Sequence, residues 1–206
     1  MNNQSKANLI IEYLLQINAI KINLQNPFTW ASGVKSPIYT DNRILLSYPE
    51  VRSLVKNAFA EKINQVQLPD VIAGVATAGI PHGVLVADVL GLPFIYVRDK
   101  AKEHGKQNII EGAYKENQKV VVIEDLISTG KSSIKTVETL RQVGLNVLEV
   151  MSIFSYELAV ASRNFEAINC PYSSLSRFSI LSEVALENKY ISEKEYSELI
   201  YWHKNL

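Results

Sequence analysis

Cysteine is nearly absent from this chain: Cys170 is the single one in 206 residues. One cysteine permits neither an internal disulfide nor a thiolate metal cluster, and next to Pro171 it reads as a small buried packing group. The three histidines, His82, His104 and His203, lie far apart and show no metal-ligand spacing. An excess of one charge is missing too, because 21 basic and 21 acidic side chains cancel. That balance argues against bulk nucleic-acid affinity and leaves room for a local phosphate site. No apolar run approaches the ~18 residues of a membrane span. The stretch Leu9-Ile10-Ile11 is stopped by Glu12, too soon for a signal peptide. The expectation is a reduced, cytoplasmic, globular protein without a membrane or nucleic-acid partner. With 47% hydrophobic residues it can bury a core without covalent staples.

Repeats and low-complexity tracts are also lacking. Residues 5–20 read as an amphipathic helix with Leu9, Ile10, Leu14 and Ile17 on one side. An irregular, aromatic-rich stretch follows, from Phe28 to Tyr39, punctuated by Gly33 and Pro37. Ser47 and Glu50 suggest a capping box for a second helix whose stripe is Val51, Leu54, Val55, Ala58, Phe59 and Ile63. From Asp70 the pattern becomes strand, turn, helix, repeated. Strands are expected at Val71–Ala76, Phe94–Val97, Val120–Ile123 and Val147–Phe154. Helices are expected at Pro81–Leu90, Ser132–Val143 with Gly144 as its stop, and Glu157–Ile168. Two short helices end the chain, the last started by Ser192 and Glu195. Apolar strands alternating with helices predict an α/β fold, a mostly parallel sheet flanked by helices. Residues 1–48 read as a small N-terminal helix and cap, and residues 49–206 as the core with its C-terminal helices, one functional unit.

The chemistry concentrates in Val120-Val-Val-Ile-Glu-Asp-Leu-Ile-Ser-Thr-Gly-Lys-Ser132. An apolar strand runs into Glu124 and Asp125; Leu126, Ile127, Ser128, Thr129 and Gly130 lead to a helix that opens near Lys131 and Ser132. Hydroxyls and approachable backbone N–H groups at a helix N-terminus favour a phosphate. The Gly130-Lys131-Ser132 tripeptide is not a Walker A loop, since the position five before Gly130 is Asp125 rather than glycine. Two carboxylates beside a phosphate loop need other partners, and sugar hydroxyls or hydrated Mg²⁺ suit them. The inferred ligand is a phosphorylated sugar with a metal. A second cluster, Arg98-Asp-Lys-Ala-Lys-Glu-His-Gly105, gathers Arg98, Lys100, Lys102 and His104 just after a strand. Cations on a closing loop stabilise a departing diphosphate.

The first of these segments resembles the phosphoribosyl-diphosphate motif of type I phosphoribosyltransferases. The resemblance implies that Glu124 and Asp125 face the ribose hydroxyls, while Ser128, Thr129, Gly130, Lys131 and Ser132 wrap the 5′-phosphate. Arg-x-x-x-Lys-x-His-Gly is similar to the catalytic loop of the orotate-using branch of that family. It implies that Arg98, Lys102 and His104 meet the diphosphate, with Lys102 catalytic, and that the loop reaches the neighbouring site of a homodimer. Phe28–Arg43 resembles the hood that covers the base, and Gly74–Gly83 the diphosphate loop. Lysines that some members carry are Ala31 and Ala78 here, and an arginine is missing near Tyr156. Ser128 is the residue left to contact orotate. The implied activity transfers the phosphoribosyl group from 5-phosphoribosyl 1-diphosphate to orotate, with Mg²⁺ held mainly by substrate and water. A purine phosphoribosyltransferase shares the acid-acid-loop motif, but the Lys102/His104 loop disfavours it. A binding-only regulator on this fold would usually carry an added nucleic-acid module, for which no segment is spare.

Overall fold

The computed structural model describes residues 3–30, 33–98 and 109–206. Its centre is a six-stranded sheet in the order β10-β9-β8-β5-β6-β7. The strands are β5 (Val71–Val75), β6 (Phe94–Val97), β7 (Ile110–Glu111), β8 (Lys119–Ile127), β9 (Asn146–Ser155) and β10 (Tyr172–Arg177). All neighbours run parallel except the β6–β7 pair. The expected mostly parallel sheet flanked by helices is therefore present.

Helices cover both faces of the sheet. In β8, Val121 and Ile123 enter the core formed with α1 (Asn3–Gln16), α2 (Pro49–Val66) and α6 (Phe178–Glu187). Val120 and Val122 enter a second core with Val137 and Leu140 of α4 (Lys131–Gln142) and Phe165 of α5 (Ala159–Ala167). Strand periodicity alone produces this two-sided burial. From β5 the chain passes through α3 (Gly79–Leu90) to β6 on one side, whereas β8 lies on the other side and leads through α4 to β9. The carboxyl ends of β5 and β8 thus flank the point where the winding reverses, which is where a parallel sheet opens a crevice.

Four local expectations change. The first helix ends at Gln16 rather than near residue 20, and Ile20 already belongs to a short strand. No capping box forms at Ser47; Tyr48 precedes α2, without a side-chain cap, and Pro49 occupies the first turn. Proline's fixed φ suits that position, and Glu50 remains as a first-turn acid facing the helix dipole. β8 does not stop at Ile123 but continues through both acids to Ile127, because β9 keeps pairing with it, Glu124 opposite Ser152 and Ile127 opposite Ser155. Edge strand β10 was not foreseen, its Tyr-Ser-Ser-Leu-Ser-Arg sequence lacking an apolar pattern. Other expectations hold: Ser192 and Glu195 form a reciprocal capping box on α7 (Glu193–Lys204). Gly144 follows α4 at φ 80°, and Cys170 is buried.

Residues 20–48 build the cap from very short pieces. Strand β1 (Ile20–Ile22) pairs with β4 (Ile38–Thr40), and β2 (Phe28–Thr29) with β3 (Lys35–Ser36), both antiparallel. A 3₁₀ helix at Asn42–Ser47 leads into α2. Two-stranded ribbons this small are not stable alone, so their placement comes from distant side chains. Tyr156, at the end of β9, exchanges a hydrogen bond with Thr40 at 2.9 Å and packs on Trp30 with ring centres 4.7 Å apart. Trp202 of α7 donates from Nε1 to the Lys35 carbonyl at 3.1 Å and meets Trp30 edge-on. His203 donates from Nε2 to the Tyr156 carbonyl at 2.6 Å while stacking on Phe178.

Candidate active site

The acid pair is set by strand geometry. Consecutive residues of β8 point to opposite faces, so Glu124 turns inward and Asp125 is half-buried at the crevice. Glu124 is 4% exposed, and its Oε2 accepts from the hydroxyls of Ser132 and Ser133 at 3.1 and 3.2 Å. Oε1 accepts from the Asp125 N–H at 3.1 Å. Burial first, and then the neighbouring Asp125 charge, push the Glu124 carboxyl well above the usual carboxylate range. Asp125 is raised as well, chiefly by burial, with Arg43 opposing the rise. Two acids held this way resist full ionisation, and hydroxyl donors or a cation would favour their charged forms.

Beyond Ile127 the loop Ser128–Gly130 meets α4. Gly130 sits at φ 77°, and a Cβ there would come within 2.7 Å of the Phe165 ring, so glycine is required on both counts. Asn164 of α5 donates to the Thr129 carbonyl at 3.0 Å, fixing the loop from outside. No side chain caps α4, which leaves its first N–H groups for an incoming anion. Of the residues expected at a phosphate, Ser128 and Thr129 are half-buried, Gly130 is buried, and Lys131 and Ser132 are exposed at the helix start. Leu126 and Ile127 remain within the strand and position the loop.

Opposite lies the turn Ala76–Ala78 after β5, with Thr77 exposed. Gly79 lets α3 approach β8 closely, since a Cβ at that point would stand 2.5 Å from the Ile123 carbonyl oxygen. Arg98, just after β6, forms an ion pair with Glu111 at 3.5 Å and donates its N–H to the Ile109 carbonyl at 2.8 Å. Lys102 and His104 lie outside the described residues, as do Asp99, Lys100 and Ala31.

Two residues without an assigned role in the sequence reading enter the site from the 3₁₀ turn. Asn42 is fully buried and donates from Nδ2 to the Asp125 carbonyl at 2.7 Å. It ties the cap to the acid pair, 83 residues away in sequence. Its main-chain carbonyl faces His82 of α3, whose pKa burial depresses to about 4. His82 is thus a neutral, buried histidine near pH 7. Arg43, next in line, is clamped by Asp41 through Nε–H to Oδ1 at 2.7 Å and Nη2–H to Oδ2 at 2.9 Å. The tripeptide Asp41-Asn42-Arg43, polar ahead of an apolar turn, was the available sequence signal for both.

A parallel sheet with a reversal point, an acid pair and an uncapped phosphate loop together define a phosphoribosyltransferase. The phosphoribosyl transferase domain family matches residues 42–184. Over nearly the whole length, the chain is 48% identical to an orotate phosphoribosyltransferase of Fusobacterium nucleatum, covering 96% of this chain and 95% of that one. It is 50% identical to one of Enterococcus faecalis, covering 97% and 95%. The solved orotate phosphoribosyltransferase of Aeropyrum pernix superposes with a TM-score of 0.76 at 25% identity, over 89% of this chain and 99% of that one. The Leishmania donovani UMP synthase reaches 0.83 at 25% identity, over 97% of this chain and 42% of that longer one. The chain belongs to the orotate phosphoribosyltransferase family.

Proposed function

We propose that this protein joins orotate to 5-phosphoribosyl 1-diphosphate, giving orotidine 5′-monophosphate and diphosphate. The observation that carries this reading is the union of the Glu124–Asp125 pair with an uncapped phosphate loop, in a chain about half identical to relatives of that name. The orotate N1 lone pair forms the new bond to ribose C1, and the C1–O bond breaks with its electrons leaving on diphosphate. The transition state has oxocarbenium character, so no protein nucleophile is needed; alignment and charge stabilisation carry the catalysis.

The residues divide this work by position. Ser128–Ser132 and the α4 N-terminus hold the 5′-phosphate. Asp125 takes the ribose hydroxyls, and Glu124 supports it by fixing Ser132 and Ser133. Backbone N–H groups of Thr77–Gly79 and the Arg98 guanidinium face the diphosphate. Lys102 and His104 complete the leaving-group site from the neighbouring subunit of a homodimer, and Ser128 also meets the orotate.

Among the described residues no group of three or more His, Cys, Asp or Glu could hold a metal. Two adjacent carboxylates are too few for a protein cage and fit an ion carried by its substrate. Asp125, with Glu124 behind it, is the group that would steady Mg²⁺. When bound, Mg²⁺ supplies neutralisation of the diphosphate charge. No helix of the described residues is long and apolar enough to cross a membrane, and a single buried cysteine suits a reducing cytoplasm.

Incubation with the sugar diphosphate, Mg²⁺ and a panel of bases, read by product mass, tests the reaction. Orotate should be converted, and adenine, guanine and hypoxanthine left alone. Conversion of a purine with orotate inert would overturn the reading. Mixing Lys102→Ala and Asp125→Asn subunits tests the shared site. Random exchange puts half the dimers in the mixed state with one intact site each, so roughly a quarter of wild-type activity should return. Exchange without recovery excludes a loop acting across subunits.

A further inference from the structure

Orotate differs from uracil by a ring carboxylate, and a site that selects it must offer that anion a cation or a fork of donors. The Glu124–Asp125 pair raises the demand, since unmet negative charge beside it repels the substrate. Among the described cations, Arg98 stands on the diphosphate side of the crevice and pairs with Glu111, and Lys35 donates to the Thr29 hydroxyl at 2.7 Å within its own hairpin. Arg43 is placed differently. Its backbone neighbour Asn42 is hydrogen-bonded to the Asp125 main chain, and its charge opposes the rise that burial imposes on the Asp125 carboxyl. Tyr39, packed on Phe28 with ring centres 5.5 Å apart, is partly exposed on the cap. A planar base entering between the cap and the acid pair therefore meets aromatic rings and one guanidinium.

We infer that Arg43 is the specificity-determining residue for the base, its guanidinium taking the orotate carboxylate while Asp41 holds it in place through the Nε/Nη2 fork. This rests on the orotate-using reaction proposed above. Two features support it. The Asp41 clamp leaves the Nη1 edge and one Nη2 hydrogen unspent, since an arginine has five donors in a fixed plane. The Arg43 side chain is also 63% exposed, whereas Asp41 is only 20% exposed, so the acid anchors and the base faces outward. Asp41 also accepts from the Arg43 N–H at 3.2 Å, fixing the start of the 3₁₀ turn. Clamp and turn are thus hydrogen-bonded to each other and, through Asn42, to the Asp125 main chain, which fixes where a specificity contact would stand.

The test compares wild type, Arg43→Gln, Arg43→Lys and Asp41→Asn, each assayed with orotate, with uracil and with varied sugar diphosphate. For Arg43→Gln, KM for orotate should rise about 30-fold or more, the loss due to one charge-assisted contact, with KM for the sugar diphosphate within about twofold. The orotate-over-uracil ratio of kcat/KM should collapse by a similar factor, because uracil makes no use of the guanidinium. Arg43→Lys should recover part of the loss, and Asp41→Asn should give a smaller rise. A merely structural role would raise both KM values together or lower the melting temperature. If wild type does not convert orotate, the reaction itself is misassigned. If wild type does, and Arg43→Gln keeps its orotate KM and its preference over uracil, Arg43 is not the carboxylate contact.

Discussion

The two sides of the crevice are built in opposite ways. The side proposed to hold the sugar phosphate, β8 through α4, is contiguous in sequence: acids, loop and helix start occupy residues 124–133, and most of its fixing contacts are local. The cap side is held by partners far along the chain, with Asn42 on Asp125, Thr40 on Tyr156 and Trp202 on Lys35, the last pair 167 residues apart. The contrast teaches where specificity can change cheaply. A phosphate loop depends on its own backbone and tolerates little variation, whereas a cap hung on side-chain contacts can exchange its base-recognising groups and keep the sheet beneath it.

The largest effect should come from the phosphate side. Asp125→Asn should lower kcat/KM by about 1,000-fold, as expected when a preorganised charge opposite the reacting sugar is removed. It should also melt no lower than wild type, because the buried carboxyl is raised and costs stability when ionised. An active, destabilised variant would reverse the assignment of this residue from chemistry to structure.

The next effect is read in stability against pH. His82 is held near a pKa of about 4 by burial, against 6.5 in the unfolded chain. Its neutral form is favoured by folding, so its contribution is complete above pH 6.5 and is lost as pH falls toward 4. The shift corresponds to about 3 kcal/mol, at 1.36 kcal/mol per unit. Denaturant midpoints measured from pH 7.5 to 4.5 should fall, and His82→Gln should flatten the curve. An unchanged slope would detach His82 from the link between α3 and the cap.

A smaller effect separates the two sides directly. Trp202→Ala removes a half-buried indole and its bond to Lys35, which should cost about 2 kcal/mol. KM for orotate should rise several-fold while that for the sugar diphosphate stays within about twofold. Equal changes in both would show that α7 supports the sheet as a whole rather than the cap.

Much of the β8–α4 segment was legible in the sequence because one motif carries strand, acids, loop and helix start together. Strands β5 and β9 were legible for a related reason, since parallel strands buried on both faces read as apolar runs, and the four apolar residues of β6 read the same way although Phe94 and Tyr96 are only half-buried. The cap was not, because strands of two or three residues have no periodicity and depend on Trp30, Tyr156 and Trp202 meeting in space. β10 was hidden by its serines, one of which, Ser174, shares its hydroxyl with Ser152 at 2.9 Å instead of packing as a branched residue. Tyr48 and Pro49 displaced the expected cap of α2 by a residue, which capping signals alone do not resolve. Asn42 and Arg43 stood within the hood-like segment Phe28–Arg43, yet their link to Asp125 depends on how two distant pieces dock.

The anchoring of the cap by α7 has a consequence for synthesis. Chains emerge N-terminus first, so strands β5 to β9 and the phosphate loop leave the ribosome before Trp202 and His203 do. A nascent chain therefore reaches a stage at which β5 to β9 have emerged while the cap still lacks its α7 partners. The contacts of Trp202 with Lys35 and Trp30 form only once that helix has emerged, so this wall of the crevice is the last to be fixed.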